Sequence, residues 1–568
     1  MQKAGPIDTI LDVTHLSVAF GSSIVLNDLS FSLGRGESLG IVGESGSGKS
    51  ITALSLMGLL PLGAKILSGN ANFHPSNSDP QNLVNLNPDS HRALRGKHLA
   101  MIFQEPMTSL NPSMRCGRQV EEAITLHQQL QGKDVKRRCI SLFGEMQIPD
   151  PVKAYRSYPH ELSGGQKQRV MIAMALAGNP SLLIADEPTT ALDVTVQKEI
   201  INLLNHIVSE RGMSLIFISH DLGVIAEVTQ RMLVLRGGEL VESGSTSELL
   251  TAPNHPYTKG LIACKPPLNS RPVELPTVQQ FLSETVNRKP DERDMGKENA
   301  KLYKQEPILS VKDVEVDYVI KRSFIGKPVK VFRAVDNLSF DLYPGETLGL
   351  VGESGCGKTT LGRAVLGLVN HQKGQITYDG KAVKVFSSQE LAQFRREVQL
   401  VFQDPYSSLN PRHTIGQAIL EPILFHKLAK TRQSAQERVF ELLQKVSLHA
   451  DSYYRYPHEF SGGQRQRIAI ARALAVNPRV LVCDEMVSAL DVSIQAQILN
   501  LLNGLKRDFG LTYIFISHDL SVVKYMSNRM LVMQNGKAVE FGLADHIYFS
   551  PESDYTKRLI AAIPSVHI

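Results

Sequence analysis

Two lysines, Lys49 and Lys358, each close a glycine-rich run: GESGSGKS over residues 43–50 and GESGCGKT over residues 352–359. The spacing Gly-x4-Gly-Lys-Ser/Thr suits a nucleoside triphosphate. The glycines let successive backbone N–H groups point inward at phosphate oxygens, the lysine adds a compact positive charge, and the last hydroxyl is a hard ligand for Mg2+. The candidate cradle residues are Gly43, Glu44, Ser45, Gly46, Ser47, Gly48, Lys49 and Ser50 in the first run. In the second they are Gly352, Glu353, Ser354, Gly355, Cys356, Gly357, Lys358 and Thr359.

More chemistry-bearing residues follow each cradle in the same order. After the first come Gln104 in MIFQEP, the run YPHELSGGQKQR, the pair Asp186-Glu187, TALD ending at Asp193, and His220. After the second come Gln403 in LVFQDP, YPHEFSGGQRQR, Asp484-Glu485, SALD ending at Asp491, and His518. Ser461 follows Ser163, Glu485 follows Glu187 and His518 follows His220 by the same 298 residues. The lysines are 309 apart, so the first copy holds extra residues ahead of Gln104. The polar stretch FHPSNSDPQNLVNLNPDSHR, residues 73–92, accounts for them and reads as a surface loop.

The elements that position these residues repeat as well. Each copy alternates strands and helices: an apolar strand, the cradle, a helix, a helical middle segment, then SLLIADE or RVLVCDE, then SLIFISH or TYIFISH. Near-continuous apolar strands ending in polar residues belong to parallel sheets covered on both faces, and their C-terminal ends line the ligand site. The SGGQ runs precede apolar positions at helical spacing, so each starts a helix whose N-terminus suits an anion. A chain of 568 residues exceeds one hydrophobic core. We expect a first domain over residues 1–265, a polar linker over 266–306 whose charge run is solvated surface, and a second domain over 307–568.

Composition narrows the setting. The 61 basic against 56 acidic residues leave a net charge of +5, which gives no single-sign field for nucleic acid. Cys116, Cys139, Cys264, Cys356 and Cys483 lack metal-like spacing and read as free thiols in a reducing compartment. The N-terminus lacks the apolar core of a secretory signal, and no apolar run reaches membrane-spanning length.

The complete series, present twice in order, resembles the ATP-binding-cassette (ABC) ATPases over nearly the whole chain. The resemblance implies two tandem α/β P-loop ATPase domains, each with a parallel-sheet core, an antiparallel β subdomain and a helical subdomain, using ATP and Mg2+. It implies that Ser50, Asp186 and Gln104, with Thr359, Asp484 and Gln403, lie at the metal. Glu187 and Glu485 would face the attacking water, Gln104 and Gln403 would orient it, and His220 and His518 would bond the γ-phosphate. It also implies that Ser163, Gly164, Gly165 and Gln166 close over the ATP of Lys358, and Ser461, Gly462, Gly463 and Gln464 over that of Lys49. Phe20 and Tyr318, matching aromatics of the first strands, would stack on adenine. Met486 departs from the family pattern, which has proline where the first copy has Pro188, and its loss of a fixed φ is expected to free the turn toward Asp491.

Further segments, EPMTSLNP at 105–112, DPYSSLNP at 404–411 and HPYTKGL at 255–261, are similar to the oligopeptide, dipeptide and nickel importer branch. The second copy keeps Tyr-Thr-Lys of the last segment, in SDYTKRL at 553–559. This implies a subunit on the cytoplasmic face of a bacterial inner membrane, peripheral and without its own span. Its partners would be two transmembrane permease subunits and, indirectly, a solute-binding protein. A soluble tandem cassette acting on ribosomes is the alternative reading; such proteins resemble this chain in their two cassettes but lack the importer segments.

Overall fold

The computed structural model describes residues 8–75, 79–104, 109–190, 192–283, 291–322, 328–406, 408–488 and 490–564. Parts of the expected segments lie outside the described residues: 76–78 of the polar stretch 73–92, 105–108 and 407 of the importer-like stretches, 191 and 489 of TALD and SALD, and 284–290 of the linker.

Each half contains two sheets. The first half's antiparallel sheet is built on the long strands Thr9–Phe20 and Ser23–Gly34, with Ala64–Phe73 and Gln81–Asn82 on the other side. Its second sheet runs, in space, Glu239–Ser245, Arg231–Arg236, Ser38–Val42, Ser214–Ile218, Leu182–Asp186 and Leu99–Ile102, parallel except for the first pair. The second half repeats both arrangements, with Thr347–Val351 between Thr512–Ile516 and Arg529–Gln534 in the parallel sheet. Every residue of Leu182–Asp186 and Val480–Asp484 is buried, which explains why these strands are continuous apolar runs rather than alternating ones. Both aspartates end their strands on the side where the cradles open, at the C-terminal edge of the sheet.

The helical subdomain of the first half packs Cys116–Gln128, Lys133–Glu145 and Gly164–Leu176 together; Ile415–Phe425, Arg432–Lys445 and Gly462–Leu474 do so in the second. Antiparallel-sheet and cradle residues form one separate apolar core in each half. A third core includes both helical subdomains and runs continuously from one half to the other.

Two expectations need correction. The stretch 73–92 is not simply a surface loop. Phe73 and Leu83 are buried, and the stretch forms a short strand, a 3₁₀ turn capped by Asn82 and a helix from Pro88 capped by Asn87. Proline at the first helical turn and asparagine before it are helix-start residues, and locally they outweigh the polarity of the stretch. The linker is not only solvated surface either. Arg271 is 5% exposed, donating to Asp545 Oδ1 at 2.8 Å and to Ser527 O at 2.6 Å. The Asn500 side chain bonds both the N–H and the C=O of Leu275, each at 2.8 Å, taking the place of a strand neighbour. Arg293, paired with Glu298 at 2.8 Å inside the linker, donates to Tyr525 O of the second half at 3.4 Å. Described linker residues are thus strapped to the second half.

Candidate active sites

Each cradle leads from a buried strand into a helix, Lys49–Met57 or Lys358–Val365. The glycine before each lysine has positive φ, 100° at Gly48 and 107° at Gly357. A Cβ would lie 2.5 Å from Leu26 Cδ2 at the first and 2.2 Å from Ala334 O at the second, so both backbone conformation and space demand glycine. Lys49 Nζ donates to the carbonyls of Gly43 (2.8 Å) and Glu44 (2.9 Å), and Lys358 Nζ to those of Gly352 (2.6 Å) and Glu353 (2.9 Å). Each lysine therefore curls over its own loop. Burial lowers the Lys49 ammonium below its usual range despite Glu187, Asp491 and Asp186 nearby, so an arriving polyanion would favour its charged form.

Hard oxygens converge beside each lysine. Ser50 Oγ donates to Asp186 Oδ1 at 3.1 Å, and Thr359 Oγ1 to Asp484 Oδ1 at 3.0 Å. Burial raises Asp186 to about 6 against the pull of the Ser50 bond, and raises Asp484 as well. A hydroxyl and a desolvated carboxylate at one strand end fit a divalent cation whose charge would reverse that cost.

The adjacent glutamates share a backbone feature that the sequence did not announce: φ is 46° at both Glu187 and Glu485, in the left-handed region. Each turn is held by its N–H, which donates to Ile218 O or Ile516 O at 3.0 Å. Around Glu187 Oε2 gather Gln104 Nε2 (3.2 Å), Thr190 Oγ1 (2.9 Å) and His220 Nδ1 (3.2 Å). Burial would raise this carboxyl, but the hydrogen bond and charge of His220, with Thr190 and Lys49, hold it down at about 2. Glu485 receives Gln403 Nε2 at 2.8 Å, while His518 stands 4.0 Å away and Ser488 turns its hydroxyl to the Glu485 carbonyl. The expected glutamine, glutamate and histidine are brought together in both halves, the histidine closer to the glutamate in the first and the glutamine closer in the second. At the position where proline is lost, the preceding φ is the same in both halves, and Met486, 2% exposed, is packed into the core.

Both SGGQ runs start helices, with Ser163 and Ser461 as N-caps in reciprocal capping boxes with Gln166 and Gln464. Their second glycines are required inside their own half, since a Cβ at Gly165 would lie 2.6 Å from Val196 and one at Gly463 2.4 Å from Ile494. Gly164 and Gly462 have ordinary room. Phe20 and Tyr318 are 45% and 40% exposed. Tyr318 lines a cavity of about 350 Å³ with Lys358, Glu485 and His518, and Leu192 and Asp193 of the first half close its far side.

Contacts on the first cradle from the other half come from Asp491, singled out only as the end of SALD, and from Ser493, which the sequence did not single out. Ser45 N–H donates to Asp491 Oδ2 at 3.1 Å, and the Ser493 hydroxyl donates to the Glu44 carboxylate. Asp491 and Ser493 thus clasp the first cradle from the opposite half. Two tyrosines were also passed over: Tyr257 OH accepts Glu44 N–H and Tyr555 OH accepts Glu353 N–H, each at 3.0 Å. Their signal was present, because Tyr-Thr-Lys survives in both copies where the surrounding segment does not.

Comparisons with known proteins bear on the family of the chain. The family described as ABC transporter matches residues 26–190 and 335–488, together more than half of the chain, and the oligopeptide/dipeptide transporter C-terminal region matches residues 241–289. The chain is 47% identical to the glutathione import ATP-binding protein of Pectobacterium atrosepticum, covering 98% of this chain and 90% of that protein. It is 45% identical to the protein of the same name from Escherichia coli K12, covering 98% and 89%. A dimeric ATP-binding cassette solved in a post-hydrolysis state with ADP and Pi is 27% identical, covering 42% of this chain and 98% of that one, with a TM-score of 0.38. Two phosphate cradles, each with its own aspartate, glutamate, glutamine and histidine, and a family match over each half make one conclusion plain: this chain belongs to the ATP-hydrolysing ATP-binding proteins of ABC transporters, with two cassettes fused in tandem.

Proposed function

We propose that this chain is the energy-coupling subunit of a membrane importer for peptides or small peptide-like solutes, of which glutathione is the first to test. The observation that carries the reading is similarity over essentially the full length to glutathione import ATP-binding proteins, together with the importer-type region after the first cassette. Among the described residues no helix is long and apolar enough to cross a membrane, which accords with separate permease subunits supplying the pore. Two such subunits, an extracytoplasmic solute-binding protein and a peripheral place on the inner face of a bacterial inner membrane complete the proposal.

In this reading the cradle N–H groups and Lys49 or Lys358 bind the β- and γ-phosphates, and Phe20 or Tyr318 packs against adenine. Mg2+ would be held at Ser50 with Asp186 and at Thr359 with Asp484, near Gln104 and Gln403, and would neutralise phosphate charge. Glu187 and Glu485 accept a proton from the attacking water, Gln104 and Gln403 orient it, and His220 and His518 meet the terminal phosphate. Asp491 on the first cradle and Asp193 beside the second support a shared arrangement of the halves. ATP contacts made by both halves would favour the closed state, and hydrolysis would release it. Nothing in the chain or its relatives favours the ribosomal reading.

Uptake of labelled glutathione and tripeptides by cells carrying the parent chain or Glu187→Gln with Glu485→Gln tests this. Loss of uptake with the double variant, and co-purification of the parent with permeases, is the expected result. Undiminished uptake of every peptide offered, or co-purification with ribosomes, would sink it.

A further inference from the structure

Between the two active sites the halves enclose a small cavity lined by both histidine turns, both aspartate loops and the two C-terminal tails, including Lys265 and Pro266 from one half and Ile563 and Pro564 from the other. The tails are equivalent, since Ile563 follows Lys265 by the same 298 residues that separate the histidines. The first copy carries a charge where the second carries an aliphatic side chain. Lys265 Nζ donates to Asp221 Oδ1 at 3.2 Å and to Pro564 O at 3.3 Å. One ammonium thereby joins the turn that bears His220 to the end of the other half. The Lys265 side chain is 26% exposed. Burial opposes its charge, but Asp221 and Asp519 outweigh burial and raise the ammonium above its usual range.

The neighbouring position differs to match. Asp519 caps its helix by accepting N–H bonds from Ser521 and Val522, and the Ser521 hydroxyl donates to it as well. That carboxylate is satisfied by its own helix. Asp221 accepts the N–H of Gly223 at 2.8 Å, and Gly223 stands where Ser521 stands in the second copy. A Cβ there would lie 2.6 Å from Pro564 O and 3.1 Å from Lys265 Nζ. Glycine admits the tail of the other half, and the lysine takes the place of the missing hydroxyl. The histidines differ as well: His220 lies 3.2 Å from Glu187, whereas His518 lies 4.0 Å from Glu485.

We propose that Lys265 is a positioning residue for the first active site: by tying Asp221 to the second half's C-terminal tail it holds the His220 turn against Glu187, so that hydrolysis at the first site depends on the seating of the other half. Lys265 acts through Asp221 and His220. The inference rests on the assignment of Glu187 and Glu485 as the water-facing residues.

The test is ATP hydrolysis by the full chain. With Glu485→Gln the first site alone retains its glutamate, and with Glu187→Gln the second alone does. Lys265→Met is expected to lower kcat of the Glu485→Gln protein about tenfold at nearly unchanged KM for ATP, and that of the Glu187→Gln protein less than about twofold, as loss of one charge-assisted bond at one site requires. Lys265→Arg should restore most of the loss. Equal losses in the two backgrounds, no loss, or no rescue by arginine would overturn the proposal. Where single-glutamate proteins turn over too slowly, truncation after Ala562 in the otherwise unaltered chain should reproduce the kcat loss of Lys265→Met without adding to it, and additive losses would overturn the coupling. Failure of the underlying assignment looks different: the chain carrying both glutamate changes would hydrolyse ATP at the parental rate, whatever stands at 265.

Discussion

Glu187 and Glu485 hold a backbone conformation that a glutamate adopts at a cost of about 1–3 kcal/mol, and they persist in it because strand, turn and side-chain bonds over-determine them. The strain aims a carboxylate out of the end of a buried strand, where a smooth continuation would bury it. Single atoms support the cradle in the same way. The Glu44 and Glu353 N–H groups donate to the hydroxyls of Tyr257 and Tyr555, which reach them from the ends of their halves. Tyr257→Phe should leave one donor unsatisfied, cost about 1–2 kcal/mol of stability and weaken ATP binding at the first cradle severalfold. Thermal unfolding with and without ATP reads both, and an unchanged midpoint with unchanged affinity would refute the role.

At the level of elements, the two halves use the same strands and helices but tune them separately. The aspartate-loop helices Val194–Arg211 and Val492–Phe509 correspond, yet Lys506 replaces Val208. The Lys506 amine donates to Thr347 Oγ1 at 2.9 Å and has no carboxylate within bonding distance among the described residues. Burial, with the like charge of Arg293, lowers it to about 7 against Glu298 and Glu346. Because an unfolded lysine stays protonated to a pH of about 10, the native state carries the full penalty below pH 7 and sheds it as pH rises from about 7 to 10. Lys506→Met should therefore stabilise the chain at pH 6, by about 1 kcal/mol since the adjoining cavity admits water, and the gain should vanish by pH 10. Unfolding midpoints of the two proteins across that range decide it. A constant difference would mean that the charge is not the cause.

Across the whole molecule, the halves share a continuous apolar core and the linker is part of the packing. Leu275 and Val278 are buried, and Arg271 sits among Asp545, Ser527 and the second half's last strands and helices. Within the one chain the strap joins the linker to the second half, whose Asp491 reaches the first cradle. Arg271→Met removes the positive member of a largely buried pair and should cost about 2 kcal/mol, less than for a fully buried pair because Asp545 retains solvent. Faster proteolysis within residues 266–283 should accompany the loss, and unaltered protection would count against the strap.

The residues that carry chemistry were legible in the sequence because their backbone demands are local. A phosphate cradle needs glycines at fixed spacing, a capping box needs Ser and Gln three apart, and a buried parallel strand needs an unbroken apolar run, all readable one segment at a time. The duplication added the domain pattern, since the same order recurs at the same offset. Contacts between segments far apart in the chain were decided by tertiary structure alone. That Ser493 reaches Glu44, that Lys265 bridges Asp221 and Pro564, and that Arg271 is buried depend on how two halves pack, and pairing over hundreds of residues leaves no periodicity to read. The sequence thus determined two sets of candidate site residues, and packing decided which segments of one half reach the other and how unequally.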